Sequence, residues 1–161
     1  MKTAIPRVTT KLAMRIAGLD PLRFNEAVAG GIYQCAPRTV PGKARTFTET
    51  DLHGLYYFAR LMEGGFENAR AGEIACGLVA FLLEHQTDDK PFSRVVYVVS
   101  RVRRFFVSAH EFEKMEKTGK EFNATGGGAV YSIKFELDFV RERIREAIEE
   151  ERSIIGERDD D

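Results

Sequence analysis

The chain has 161 residues, of which 43% are hydrophobic and 30% charged, and its formal net charge is −1. That length suits one large domain or two small ones with enough apolar material for a core. It excludes a membrane-spanning helix, because no apolar run approaches the roughly 18–20 residues a span needs.

The near-neutral total hides an asymmetry. Up to Arg60 there are nine basic residues against four acidic ones, a balance of +5, which leaves −6 for the remainder. Such a split predicts that the N-terminal part meets nucleic acid or another anionic surface. The first ten residues lack the apolar stretch and cleavage site of a secretory signal. Cys35 and Cys76, with three histidines, form no Cys-x-x-Cys or other metal-ligand spacing. The composition therefore predicts a cytoplasmic protein with two free thiols, no metal and no cofactor.

The first helix is expected over Lys11–Ala17, with Thr9-Thr10 as its cap and Gly18 as its stop. Asp20-Pro21 predicts a second helix from Pro21, since Asp caps well and Pro is favoured at the first helical position. That helix runs to Gly30-Gly31. Two short helices joined by a tight glycine-containing turn outline a helix-turn-helix. Ile32–Gln34 and Arg45–Phe47 read as the two strands of a small β-loop around the Pro41-Gly42 turn. No acidic residue lies between Ile32 and Thr48, while Arg38, Lys43 and Arg45 do.

Thr48 and Asp51 resemble a capping box opening a third helix, with Leu52, Leu55, Tyr56, Ala59 and Met62 at helical spacing. After Gly64-Gly65, Asn68 is expected to cap a fourth helix. Its apolar content (Ile74, Ala75, Leu78, Val79, Phe81, Leu82, Leu83) predicts burial on most sides, in the core or against a second chain. His85–Pro91 reads as a polar linker. Val95–Val99 is a central strand by its β-branched content and is expected to continue through Arg101–Val107. A charged stretch, Glu111–Asn123, and the flexible loop Gly126–Gly128 follow. Alternation from Ala129 to Leu137 predicts a half-buried strand. Asp138 begins a final helix ending near Gly156, whose apolar stripe either closes the C-terminal core or pairs across a dimer. The tail, residues 157–161, is acidic and expected to be disordered.

From Thr9 to about Ala75 the chain resembles the DNA-binding domain of MerR-family transcription regulators. The resemblance rests on Asp20-Pro21 at the start of the second helix and Gly31-Ile32 after it. It continues in Arg45-Thr46-Phe47-Thr48-Glu49-Thr50-Asp51-Leu52 at the end of the wing, and in Gly65-Phe66 followed by Glu73-Ile74. Where the family usually carries leucine and then Arg-Tyr-Tyr, this chain has Phe24 and then Asn25-Glu26-Ala27. The resemblance implies a winged helix-turn-helix in which the second helix enters the major groove and the wing reaches phosphates or the neighbouring minor groove.

The expected fold is therefore α+β: an N-terminal winged helix-turn-helix followed by helices and a small antiparallel β-containing C-terminal module. Residues 1–86 form the MerR-like DNA-binding domain with its supporting helices, and residues 92–156 a dimerisation or effector module. Arg23 and Asn25 are candidate base or phosphate contacts, since Arg reads guanine and Asn adenine. Lys11 and Arg15 are candidate phosphate clamps. Arg38, Lys43 and Arg45 are the strongest candidates, because three cations on one short loop repel each other without an anion. Arg101, Arg103 and Arg104 form a second basic cluster on a strand, either a second nucleic-acid surface or, the reading preferred here, a solvated sheet face, with Glu136 as the one carboxylate there that could pair with it. His53, His85 and His110 and the carboxylates Glu111, Glu113, Glu116 and Glu121 form no catalytic constellation.

The expected function is a sequence-specific transcription regulator that binds double-stranded DNA as a homodimer, with an unknown small-molecule or protein effector, no membrane partner and no catalysis. The alternative is a protein–protein assembly module, of the recombination or packaging accessory kind, that keeps a helix-turn-helix scaffold. Glu26 and Ala27 favour that alternative.

Overall fold

A computed structural model describes residues 4–86, 90–118 and 128–159. The protein is mixed α+β, with two small antiparallel sheets. It divides into two units, Met1–His85 with Val140–Asp161, and Gln86–Phe139.

In the first unit β1 (Val8–Thr9) leads directly into α1 (Thr10–Ala17). The Thr9 side chain accepts the Leu12 amide at the helix start, and Gly18 closes the other end in the left-handed conformation (φ 64°). α2 (Pro21–Ala29) begins at Asp20, whose carboxylate accepts the amides of Leu22 and Arg23. β2 (Thr46–Phe47) precedes α3 (Glu49–Glu63), which opens with a reciprocal capping box between Thr48 and Asp51. α4 (Asn68–Glu84) pairs with α3. Its N-cap is Glu67 rather than Asn68, and no side-chain bond caps it. Leu83 is 51% exposed and Phe81 and Leu82 are half-buried, so α4 is not buried all round.

The returning strand of the expected wing is present, but its partner is different. Thr46 and Phe47 pair antiparallel with Thr9 and Val8. Ile32–Gln34 forms no strand. The amides of Ile32 and Tyr33 both donate to the Ala27 carbonyl at the end of α2, at 2.9 and 3.1 Å, so they are not free for a ladder. Tyr33 is instead driven into the core. It packs on Phe58 of α3 (ring centroids 4.8 Å) and on Phe24 of α2 (6.0 Å), and Phe24 packs on Phe47 (5.9 Å). These four rings, all buried, fix both roots of the loop between α2 and β2.

The cysteines are not free thiols. Cys35 of that loop and Cys76 of α4 form a disulfide with Cα atoms 5.4 Å apart. They are 41 residues apart in sequence, so no local spacing marks the pairing.

The second unit is a three-stranded antiparallel sheet in the order β4-β3-β5, with one helix among the described residues that lies wholly within it. β3 (Arg94–Ser100) is central, as its β-branched content predicts. It does not continue through Arg101. The chain reverses there, and β4 (Arg104–Ser108) returns beside it, Val96 opposite Val107 and Val98 opposite Phe105. The charged stretch after it is helical in its described part: α5 (Ala109–Thr118) lays Phe112 and Met115 on Val96, Val98 and Val107. β5 (Ala129–Glu136) fills the other side of β3 with Phe135 opposite Val95. Residues 87–89 of the expected linker and 119–127, including Glu121 and Gly126-Gly127, lie outside the described residues.

α6 (Leu137–Asp159) begins in the second unit and belongs to the first from Val140 onward. Its buried Val140 and Ile144 therefore serve the N-terminal unit rather than a separate C-terminal core. Helix continues through Asp159 where a disordered tail was expected; residues 160–161 are outside the described range.

Candidate nucleic-acid interface

Several of the nine N-terminal cations have structural work. Arg60 donates to the Ala17 carbonyl at 2.8 Å, stacks over Tyr56 and pairs with Glu63 at 3.1 Å. Arg143 of α6 donates to the neighbouring Ile16 carbonyl at 3.1 Å. Two guanidinium groups thus satisfy carbonyls that the end of α1 leaves without helical partners. Arg15, expected as a phosphate clamp with Lys11, donates to the Ala147 carbonyl of α6 at 3.1 Å. It remains on the surface, but the bond orients it toward α6. Lys11 is exposed on α1.

The acid-free loop presents the rest. Val40-Pro41-Gly42-Lys43 closes on itself, the Lys43 amide donating to the Val40 carbonyl at 3.0 Å. Gly42 has φ 78°, which places Pro-Gly at the two central positions of a type II turn. Lys43 is exposed at this tip. Arg38 and Arg45 lie further back and line one open cleft of about 430 Å³ with Val28 of α2, Gln34 and Thr39. Arg38 is exposed; Arg45 is half-buried, 5.5 Å from the Phe24 ring centroid. Its Nε is buried with no hydrogen-bond partner among the described residues, while its backbone carbonyl accepts from Thr10 at 3.2 Å. The ring and the backbone bond hold a guanidinium at the cleft with donor capacity to spare.

α2 buries Phe24 and Ala27 and exposes Leu22, Arg23, Asn25 and Glu26. Arg23 and Glu26 line a different groove, of about 650 Å³, with Asp20, Phe58, Met62 and Glu63. Of the sequence candidates the fold thus gathers Arg38 and Arg45 around one cleft. It sets Lys43 at the loop tip, Arg23 beside carboxylates, and Lys11 and Arg15 on α1. Arg7, one of the nine N-terminal cations but not among the expected contacts, is exposed next to β1, 3.5 Å from the Thr46 hydroxyl. The signal was present in its position just before a two-residue strand, too short for periodicity to reveal.

The helix roots are held by an ionic cluster in which His53 and Arg141 are buried and Glu49 is half-buried. Glu49, in the first turn of α3, accepts from Arg141 of α6 at 2.5 Å, and His53 Nε2 lies 3.5 Å from the same oxygen. Hydrogen bonding from His53 and from Arg141 outweighs burial and holds the Glu49 carboxyl down at about 2. His53 is 1% exposed, a core histidine and not a surface one. Burial pushes the Tyr33 phenol upward, so it stays neutral. Among the described residues no group of three or more His, Cys, Asp or Glu could hold a metal ion. No helix of the described residues is long and apolar enough to cross a membrane.

No protein-family model matches the chain, and no curated protein matches it.

Proposed function

We propose that this protein is a sequence-specific DNA-binding transcription regulator, working as a homodimer in the cytoplasm and without a chemical step. In this reading α1 and α2 form a MerR-like helix-turn-helix and the loop from Ile32 to Arg45 is its wing. The observation that carries it is the loop itself. It holds three cations and no acid; two of the cations share one cleft beside α2 and the third caps a tight turn. Phosphates are the ligand such a loop suits, and an adjacent helix with exposed Leu22 and Asn25 offers groups that contact thymine methyl and adenine.

Selection of bound duplexes from a random pool tests the reading, with Arg38→Ala/Lys43→Ala as the control because both side chains are exposed. Recovery of a palindromic motif by the wild type, and a log–log salt slope shallower by about 1.8 in the control, are the expected results. No enriched motif and no binding at about 50 mM salt would sink it. Glu26 favours a second reading, an assembly module. Together with Asp20 and Glu63 it rims a groove floored by Phe58 and Met62, a surface suited to a basic protein segment. A ring-sized oligomer in light scattering, with no DNA binding, is the outcome that reading expects.

A further inference from the structure

The second basic cluster sits where the sequence did not place it. Arg101 and Arg103 are not on a sheet face; they lie in the β3–β4 turn, and Arg104 opens β4. All three are exposed, and Val102 between them is 65% exposed. Glu136 cannot serve them. It pairs with Arg94 at 2.7 Å, and Arg94 and Glu136 are register partners at the opposite end of β3. Six residues of strand separate the two ends, roughly 20 Å. Among the described residues no carboxylate forms an ion pair with Arg101, Arg103 or Arg104.

The turn is also pre-ordered. The Ser100 amide and hydroxyl both donate to the Arg103 carbonyl, at 2.9 and 3.0 Å. The Ser100 hydroxyl oxygen in turn accepts the Arg103 amide at 3.1 Å and the Val102 amide at 3.4 Å. Ser100 itself is buried, so the turn is tied to the sheet rather than to solvent. The Arg103 guanidinium lies 4.3 Å from the Phe105 ring centroid, which restricts its rotamers. Three cations held within four residues repel one another, and a bound anion relieves that. All three are arginines, whose planar forks match phosphate oxygens two at a time. A fixed turn loses less conformational entropy on binding than a loose basic tail. Anionic membranes are usually met by loose polybasic segments reinforced by a lipid or apolar anchor, and here the apolar element is a single valine.

We propose that the Arg101–Arg104 turn is a second nucleic-acid contact, gripping backbone phosphates of duplex DNA independently of the Ile32–Arg45 loop. It rests on the reading that the chain binds DNA, but on other residues in the other unit. The test is fluorescence anisotropy with a random-sequence 30-base-pair duplex (about three helical turns), from about 50 to about 200 mM salt. The proteins compared are the wild type, Arg101→Ala/Arg103→Ala/Arg104→Ala, and Arg38→Ala/Lys43→Ala. The turn variant is expected to lose more than about tenfold in affinity at low salt and to shallow the log–log slope by about 2.7. Should it melt early, Arg101→Glu alone carries the test, with a slope shallower by at least about 1. An unchanged slope in the turn variant, with loss in the loop variant, overturns this proposal and leaves the DNA reading standing. Loss in the turn variant with none in the loop variant upholds the turn and overturns the loop as the wing. A wild type that binds no duplex overturns both. Loss of binding to phosphatidylserine vesicles in the turn variant, with DNA binding untouched, overturns the proposal in favour of a membrane surface.

Discussion

Breaking the Cys35–Cys76 bond is the sharpest perturbation of this fold, because it acts on the unfolded chain and on the basic loop together. The bond spans 41 residues of sequence. Chain-entropy arithmetic for a loop of that length gives about 4 kcal/mol at 25 °C, and native disulfides usually deliver about 2–4. For a chain of this size each kcal/mol moves the melting temperature by about 2–4 °C, so reduction is expected to lower it by about 4–16 °C. The local effect is distinct. Cys35 is the last tight tether before the exposed stretch from Arg38 to Ala44, and the Ile32–Tyr33 root is fixed independently by Ala27 and the aromatic cluster. Reduction should therefore speed amide hydrogen exchange near Cys35 while leaving α1 and α3 protected.

The assay is thermal and urea unfolding with and without dithiothreitol, beside Cys35→Ser/Cys76→Ser. Alkylation of the denatured chain counts its thiols by mass. The oxidised chain should take up no label and the reduced chain two. Two labels in protein handled under oxidising conditions, or melting that dithiothreitol leaves within about 1 °C, would refute the pairing. Cytosolic thiols are normally kept reduced, so under the cytoplasmic location proposed above the reduced melting curve is the relevant one, and in an oxidising compartment the oxidised one is.

Glu49 ties stability to acid pH. Its folded pKa of about 2 lies below the ordinary 4.5, so the stabilisation is complete above about pH 4.5 and disappears as pH falls through about 2. The shift corresponds to about 3 kcal/mol, reduced to about 1–2 by solvent screening of a side chain that is 34% exposed. Urea midpoints at pH values across that window should fall for the wild type and fall less for Glu49→Gln; parallel curves would remove the ionic cluster from the account. Gly72→Ala places a methyl group against the Ile32 carbonyl, where α4 crosses the root of the loop. Backbone must move, at a cost of about 1–3 kcal/mol that exceeds the gain of about 1 in helix propensity. A raised melting temperature would show that the two segments do not approach so closely.

What could be read from the sequence was local. Thr9, Gly18, Asp20-Pro21 and the Thr48–Asp51 box mark their helix ends because caps act within one turn, and the structure places α1, α2 and α3 where they indicate. The failures were matters of partnership. Ile32-Tyr33 has strand-like residues, but its amides are spent on Ala27 and its ring on Phe24 and Phe58. The β3–β4 reversal uses no Gly, Pro or Asn; Ser100 makes the turn through its hydroxyl. α5 was hidden by charge, although Ala109, Phe112 and Met115 at three-residue spacing already drew its half-buried edge. In the candidate site the cations were legible as residue types. Which of them spend their charge on helix carbonyls was not, since Arg60 and Arg15 reach partners far away in sequence.

The geometry also divides α2 in a way composition alone does not. Glu26 stands three residues after Arg23, so the two are neighbours on one helix face, and both line the groove with Asp20 and Glu63. Val28 lies at the other edge and lines the cleft with Arg38 and Arg45; Asn25, three residues before it, is on that side. An anion entering that cleft meets Arg38 and Arg45, and no carboxylate of the described residues lines it. The Arg23 side is a poorer place for an anion, its one guanidinium facing three carboxylates. Glu26 thus lies in the groove with Asp20 and Glu63 and outside the cleft of Arg38 and Arg45, so under the DNA-binding reading proposed above it bounds the basic surface instead of interrupting it.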